Sequence, residues 1–147
     1  MQAYPVKVKP IVGTSFREVH KKALRLYQEI KKQTKRTPHI RSAYFKNEKI
    51  FLTLFWSHLY EKKNFADLVR RLKWYPCAIE LVKKSKIQPI SKDNPNKRSE
   101  KQHRFFGKTS SGDYFCVQIK EEKKTGRKWL MSSFPIDKKR LSASCGL

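Results

Sequence analysis

The sequence predicts an α+β protein in which N-terminal helices pack on a C-terminal antiparallel sheet of three to four strands. Apolar residues recur at helical spacing through the first two thirds of the chain, and they alternate with polar residues in the last third. The chain has 147 residues, of which 38% are hydrophobic and 12% aromatic, which suffices for the core of one domain. We therefore expect a single domain over residues 1–136 and a flexible basic tail over residues 137–147.

The N-terminal segment, residues 1–13, is expected to be extended. Apolar and basic residues alternate from Val6 to Lys9, as in a short strand. Because Pro5 and Pro10 lack backbone N–H groups, they confine such a strand to a sheet edge or an arm.

The first helix is predicted over residues 15–36. Ser15 stands three residues before Glu18, which is the spacing of a capping box. One face of this helix is apolar, and the opposite face carries Lys21, Arg25, Lys32 and Arg36. This basic stripe is either a solvated face or a phosphate contact, and the scarcity of acidic partners favours substrate contact through Lys21 and Arg25.

A break over residues 37–42 precedes two further predicted helices. The second helix, over residues 47–62, carries apolar residues around almost its whole circumference, which is typical of a central, buried helix. The third, over residues 64–86, begins at Asn64. It contains Pro76, which either kinks a helix or splits it in two.

The last third of the chain is predicted to form the sheet. Residues 87–102 are polar, contain two prolines and are expected to be a linker. The sheet itself spans residues 103–135, with strands over His103–Phe106, Tyr114–Lys120 and Lys128–Phe134. Both intervening turns contain the glycine that a hairpin needs.

Alternation along the middle strand assigns its side chains to two faces. Phe115, Val117 and Ile119 are expected to face the helices. The outward face is then formed by Tyr114, Cys116, Gln118 and Lys120. If Glu122 pairs with Arg127 across the second turn, Ile119 lies opposite Leu130, and Trp129, Met131 and Ser133 join the outward face. Either His103 or Arg104 joins this face, depending on the first turn. We favour Arg104 beside Gln118, with His103 near the start of its strand.

The charge balance indicates the partner. Thirty-five Lys and Arg residues stand against 12 Asp and Glu residues, which gives a formal net charge of +23. Such a surface repels itself and attracts polyanions. We expect a nucleic-acid partner, RNA rather than DNA, because aromatic rings and cations on an exposed sheet bind unpaired bases and phosphates. The alternative is an ordinary solvated basic surface.

Several other classes of protein are disfavoured. The start of the chain does not resemble a secretory signal, and the longest apolar stretch, Ile50 to Trp56, is too short to span a bilayer. Three widely spaced cysteines argue against a disulfide framework, so we expect a cytoplasmic protein without a membrane partner. We expect no metal and no cofactor, because the sequence lacks metal-ligand spacings and phosphate-binding glycine motifs.

Metal-free RNA cleavage is the enzymatic reaction that fits this composition. The RNA supplies its own nucleophile, the 2′-hydroxyl group beside the phosphate. The protein must accept its proton, stabilise the charge on the phosphorane and protonate the leaving 5′-oxygen. Arg and Lys side chains serve the charge, and His, Tyr or a hydroxyl group serves the proton transfer.

The last third also resembles a known family. The segments 103–107, 111–120 and 126–135 are similar to the Barnase–EndoU–colicin–RelE-like nucleases of phages and mobile elements. In that superfamily, helices precede a small antiparallel sheet and catalytic polar residues project from its strands. The resemblance implies a metal-independent endoribonuclease, and many members of the superfamily are toxins.

The resemblance also implies roles for individual residues. Arg104 corresponds to the basic residue of the first strand, with His103 beside it, and Gln118 and Lys120 correspond to the polar pair of the middle strand. We expect Arg104 and Lys120 to bind the phosphate and stabilise the transition state, His103 to transfer protons and Gln118 to orient the substrate. The hydroxyl group of the last strand comes from Ser132 or Ser133, and we favour Ser133 as catalytic. The alternative is that the two serines only form a bend before Pro135. The paired histidines of the EndoU-like members have no clear counterpart, which leaves the general base open.

Three more residues complete the predicted site. Arg41 and Tyr44 suit phosphate and base contact from another wall of a cleft, although a place in the core is the favoured alternative for Tyr44. Tyr114 is expected to contact substrate from the outward face of the sheet.

These residues lead to one favoured function and two alternatives. The favoured function is a metal-independent endoribonuclease that is toxin-like or associated with a mobile element. The first alternative is a non-catalytic RNA- or DNA-binding accessory protein. The second alternative is an interaction protein whose charge is masked by an acidic partner, such as an antitoxin or immunity protein.

Overall fold

The computed structural model describes residues 2–61 and 64–139 of the chain. Within these residues the strands form one seven-stranded sheet, and the helices lie between strands along the chain. The strands are β1 (Tyr4–Pro5), β2 (His39–Ser42), β3 (Glu48–Phe51), β4 (Ile90–Asp93), β5 (Glu100–Lys108), β6 (Tyr114–Glu122) and β7 (Lys128–Ile136). The helices are α1 (Phe16–Gln33), α2 (Thr53–Tyr60), α3 (Phe65–Lys73) and α4 (Tyr75–Lys84).

The sheet is mixed and follows the order β1-β5-β6-β7-β3-β2, with β4 also paired to β5. Strands β5, β6 and β7 form an antiparallel meander, whereas β1 runs parallel to β5 and β3 runs parallel to β7. Strands β4 and β1 pair with different parts of β5, residues 101–104 and 107–108 respectively. The prediction of three to four strands beneath N-terminal helices is therefore wrong, because the first half of the chain adds β1, β2 and β3 to the sheet.

The expected helix over residues 47–62 is instead a strand followed by a shorter helix. Lys46 and Asn47 adopt φ angles of 55° and 65° and turn the chain from β2 into β3. Ile50 of β3 is fully buried opposite Ile40 of β2. The apolar run thus combines β3 with α2, and a short apolar run does not reveal where one period gives way to the other.

The other helices lie close to their expected positions. The Ser15 hydroxyl accepts a hydrogen bond from the Glu18 backbone N–H at 3.2 Å, as a capping box requires, and α1 ends at Gln33. The expected third helix is divided into α3 and α4. Pro76 lies in the first turn of α4, where the missing N–H group has no helical partner in any case.

The expected linker over residues 87–102 is also corrected, because it contains β4 and the first residues of β5. A polar segment of this kind suits an edge strand, whose side chains are largely solvated. Residues 140–147 of the expected tail lie outside the described residues.

Strand β6 supplies the centre of the core. Phe115, Val117 and Ile119 are almost fully buried on the side of the helices, as alternation predicts. The Phe115 ring stacks on Trp74 with 5.2 Å between the ring centroids. The opposite side of the same strands is therefore left to polar side chains and a small second apolar cluster.

Replacing Gly107 with alanine should lower the free energy of unfolding by about 1–3 kcal/mol, since overpacking forces buried side chains to move. A Cβ atom at this position would lie 2.2 Å from the Phe115 ring and 2.9 Å from Leu81 Cδ1, and both side chains are fully buried. Urea unfolding measures the change, with Lys108→Ala as an exposed control on the same strand. Equal midpoints for Gly107→Ala and the unaltered protein would contradict this packing.

Candidate functional site

The side of β5, β6 and β7 that faces away from the helices, here named the outer face, carries a row of polar side chains. Arg104 pairs with Gln118, which in turn pairs with Ser132. This is the register that we favoured, and Arg104 is exposed. Lys120 lies one pair further along, opposite Trp129. The outer face thus combines two cations, an amide, a hydroxyl group and an indole ring.

A β-bulge in β7 decides which serine joins this row. Gln118 pairs with Ser132, but Ile119, the next residue of β6, pairs with Leu130. Met131 is consequently an extra residue on β7, and the residues that follow it exchange faces relative to a regular strand. The expected pairing of Ile119 with Leu130 is confirmed. The residues of β7 after the bulge, however, lie on the opposite faces from those expected.

The two serines beyond the bulge point in opposite directions. The Ser132 hydroxyl donates a hydrogen bond to Gln118 Oε1 at 3.0 Å on the outer face. Ser133 is fully buried towards the helices, and its hydroxyl donates to the Arg71 carbonyl oxygen at 3.2 Å. The expectation that Ser133 faces outward is therefore wrong, and Ser132, the other candidate, takes that position.

A carboxylate that the sequence analysis missed also belongs to the outer face. Glu100 Oε2 lies 2.8 Å from Lys120 Nζ and 3.4 Å from Lys97 Nζ, and the Asn94 amide donates to Glu100 Oε1 at 3.3 Å. Burial would raise the pKa of Glu100, but hydrogen bonds and charge from the two lysines outweigh it and hold the pKa below its ordinary value. Lys120 Nζ also lies 5.2 Å from the centre of the Trp129 ring. An ionised carboxylate and a cation thus stand side by side next to an aromatic ring.

His103 lies on the opposite side of the sheet from Arg104, because consecutive residues of a strand alternate. Its ring is buried, with Nδ1 2.6 Å from the Ser91 hydroxyl and Nε2 2.8 Å from Glu121 Oε1. The Phe45 ring packs against it with 5.0 Å between the centroids. The structure thus separates His103 from the two cations with which it was expected to act.

Burial, the largest influence, lowers the pKa of His103. The neighbouring Glu121 carboxylate raises it, while the positive charges of Lys101 and Lys128 lower it further, and the pKa lies below its ordinary value. The imidazole is therefore neutral at pH 7. A neutral ring has one N–H donor and one acceptor nitrogen, so it can donate a hydrogen bond to a carboxylate and accept one from a hydroxyl group at the same time.

A buried lysine extends this cluster towards β3. The Lys128 ammonium group donates to a Glu48 carboxylate oxygen and to the Gly126 carbonyl oxygen, and it lies 3.8 Å from Glu121 Oε1. It also lies 4.8 Å from the centre of the Phe45 ring. Lys128 is thereby compensated on several sides, which a buried charge requires.

The remaining expected contacts on the sheet side are scattered. Tyr114 lies on the outer face beside the small apolar cluster of Phe106 and Cys116, with Lys108 Nζ 5.7 Å from its ring centre. Tyr44 packs with its ring 5.7 Å from Phe105, towards the helices. Only Tyr114 of these aromatic residues shares a face with Arg104.

The expected basic contacts outside β5–β7 are also separate from the outer face. The Arg41 guanidinium group donates to the Asn47 carbonyl oxygen at 2.9 Å within the β2–β3 hairpin. Lys21 and Arg25 are exposed on α1, which packs with α3 in the helical layer. Lys21 and Arg25 therefore lie in the helical layer, whereas Arg41 on β2 pairs with Lys49, at the end of the sheet beyond β7 and β3.

No group of three or more His, Cys, Asp or Glu side chains among the described residues is placed to hold a metal ion. None of the described helices combines the length and the apolar character that crossing a membrane requires. Cys77 and Cys116 are free and buried, and burial raises the pKa of each thiol to about 12, so neither is a ready thiolate.

Comparison with known proteins gives no family assignment. No protein-family model and no curated protein matches the sequence, and no solved structure matches the fold. The function is therefore inferred from the side chains themselves.

Replacing Ser133 with alanine should lower the free energy of unfolding by about 1 kcal/mol, because the Arg71 carbonyl oxygen loses its buried donor. Ser132 is itself buried, so Ser132→Ala should weaken RNA binding by releasing the Gln118 amide, which its hydroxyl group holds on the outer face. Thermal unfolding and RNA titration of both variants test this division. If Ser133→Ala reduced RNA binding more than Ser132→Ala, the assignment of the two faces would be wrong.

Proposed function

We propose that this protein is a metal-independent endoribonuclease that binds and cleaves RNA on the outer face. One observation carries the proposal: Arg104, Lys120 and Glu100 share that face with a hydroxyl–amide pair and an indole ring. A formal charge of +23 makes a polyanionic substrate the natural partner.

Binding of the substrate rests on the cations and the ring. Arg104 is exposed, and a guanidinium group binds phosphate oxygens through two parallel hydrogen bonds. Lys120 adds a second positive charge from the diagonal position on β6, since diagonal neighbours on a sheet lie about 7–8 Å apart. Trp129 is partly exposed and offers a surface on which an unpaired base stacks. These contacts favour single-stranded RNA.

Catalysis assigns one role to each group. Glu100 accepts the proton of the 2′-hydroxyl group, and the 2′-oxygen attacks the adjacent phosphorus atom. Arg104 and Lys120 stabilise the additional negative charge of the phosphorane. The bond to the 5′-oxygen then breaks, and that oxygen takes a proton from Lys120, which regains one from Glu100. The products are a 2′,3′-cyclic phosphate and a 5′-hydroxyl end, and no water is consumed.

The resemblance to the Barnase–EndoU–colicin–RelE-like nucleases supports the same proposal in outline. Polar side chains project from a three-stranded antiparallel meander, as that family would imply. His103 is replaced as the proton acceptor by Glu100, since His103 lies on the other side of the sheet. If the protein is also toxin-like, an acidic antitoxin or immunity protein would cover Arg104 and Lys120.

A non-catalytic RNA-binding protein is the second candidate. The observation that favours it is the ion pair between Lys120 and Glu100, since a carboxylate held by two lysines is a weak base. In this case the outer face binds phosphates and the RNA remains intact.

Incubation with single-stranded RNA in EDTA should yield fragments with cyclic phosphate ends. Arg104→Ala should reduce kcat/KM by about 100-fold or more, as expected when one group that stabilises the transition-state charge is lost. Lys124→Ala, an exposed cation in the turn between β6 and β7, is the control and should retain its activity. RNA that stays intact with single-stranded, hairpin and transfer-RNA substrates would exclude the nuclease function.

Binding measurements separate the two candidate functions. In a nuclease, Glu100→Gln should lower the rate by about 10²–10⁴-fold while RNA binding is largely retained. In a binding protein, Arg104→Ala should only weaken affinity and reduce the slope of log K against log salt by about 1. Fluorescence anisotropy over a range of salt concentrations provides both quantities.

The pH dependence of kcat/KM should identify Glu100 as the base. Because the pKa of Glu100 lies below the ordinary glutamate value of 4.5, the carboxylate stays ionised until the pH falls below that value. The acid limb of the profile should therefore lie below pH 4.5, provided that circular dichroism shows the protein still folded. An acid limb near pH 6 would point to a histidine instead.

A further inference from the structure

A second cluster, distinct from the outer face, has the geometry of an activated nucleophile. Ser91 lies on the edge strand β4 and is exposed, whereas its partner His103 on β5 is buried. The Ser91 hydroxyl lies 2.6 Å from Nδ1 of His103, and Nε2 of the same ring lies 2.8 Å from Glu121. Nucleophile, base and orienting carboxylate thus form one continuous chain.

The hydrogen-bond partners determine the tautomer. Ionised Glu121 only accepts hydrogen bonds, so Nε2 carries the proton and donates it. Nδ1 is then the acceptor, and the Ser91 hydroxyl must donate to it. This is the protonation state in which a histidine removes a serine proton, and a carboxylate behind the ring stabilises the imidazolium ion that forms.

We propose that Ser91, His103 and Glu121 form a catalytic triad for acyl transfer, with carboxylic esters as the substrate class. The exposed edge of β4 admits the substrate, and the Phe45 ring beside His103 provides an apolar wall for a small acyl group. Lys101 lies on the same side of β5, close enough for its charge to act on the His103 ring. Its ammonium group stabilises the oxyanion.

The reaction proceeds in two balanced steps. Ser91 Oγ bonds to the acyl carbon while its proton moves to Nδ1 of His103, and the leaving alkoxide then takes that proton and departs as an alcohol. Water next attacks the acyl-serine, again losing a proton to Nδ1, and Ser91 recovers this proton as the carboxylic acid leaves. One ester and one water give one acid and one alcohol, without an oxidant or a metal.

A fluorophosphonate probe tests the triad directly, since it reacts with activated serines and loses fluoride. We expect one label per chain, mapped by mass spectrometry to Ser91, and no label on Ser99 or Ser111, which are also exposed. Ser91→Ala should abolish labelling, and Ser99→Ala should not change it. Excess p-nitrophenyl acetate should compete with the probe. A protein that stays unlabelled, or is labelled elsewhere, would overturn the proposal.

Two further variants test the roles of the base and the carboxylate. His103→Gln and Glu121→Gln should each slow labelling, the former by about 100-fold or more. Because these residues are partly or fully buried, circular dichroism must first confirm folding. Ser91→Cys provides a measurement that leaves His103 and Glu121 unchanged. Iodoacetamide should alkylate the thiol at position 91 in this variant faster than the thiol at position 99 in Ser99→Cys, since a thiol beside a histidine is readily deprotonated. Equal alkylation rates would contradict an activated position.

The labelling rate should also fall at acid pH as His103 takes up a proton. The charged or titratable groups around its ring are Glu121, Lys101 and Lys128, with Glu48 behind Lys128. Burial and the two lysines lower the pKa of His103, so the loss should occur below the ordinary value of 6.5. A rate that stayed constant through this range would argue against His103 as the base.

The triad and the proposed ribonuclease site are testable independently. Ser91 lies on the helix side of the sheet, whereas Arg104 lies on the outer face. Labelled protein should therefore still bind and cleave RNA, and Arg104→Ala should be labelled at the normal rate. Loss of labelling in Arg104→Ala would show that the two sites are not separate.

Discussion

Alternation along strand β5 is the constraint on which the chemistry of this protein depends. Consecutive side chains of an extended strand point to opposite sides of a sheet, so Glu100 and Arg104 lie on the outer face and His103 lies on the other side. A mechanism that applied Arg104 and His103 to one phosphate would require the sheet itself to rearrange. The residues therefore divide into two clusters, and each has to be explained by its own partners.

The protein has few acidic residues, so its ion pairs neutralise only some of the cations and the remaining positive charge faces the solvent. In the described residues, several carboxylates pair with cations, and these include Glu100, Glu121, Glu48, Asp67 and Asp93. Such pairs compensate buried or half-buried cations such as Lys128. Arg104 and the basic stripe of α1 are left to face the solvent. Exposed cations that no neighbouring carboxylate neutralises dominate the attraction of a polyanion.

Local patterns predicted the meander but not the sheet around it. The turn glycines and the alternation of β6 placed Arg104 beside Gln118 and Ile119 opposite Leu130, as the structure has them. The parallel pairing of β3 with β7 joins residues about eighty positions apart, and no local period encodes it. The bulge at Met131 was not predicted for a related reason. One extra residue leaves the composition of a strand nearly unchanged, but it moves every later side chain to the opposite face of the sheet.

The cluster around His103 is larger than stability requires. A buried charge network must compensate each of its members, and Lys128 already has Glu48, Glu121 and a carbonyl oxygen. His103 needs only one acceptor for its N–H group, which Glu121 supplies. Ser91 adds little to that balance, because water at the exposed edge of β4 would satisfy Nδ1 equally well. An exposed hydroxyl group held on the acceptor nitrogen of a neutral, oriented imidazole is instead what nucleophilic chemistry requires.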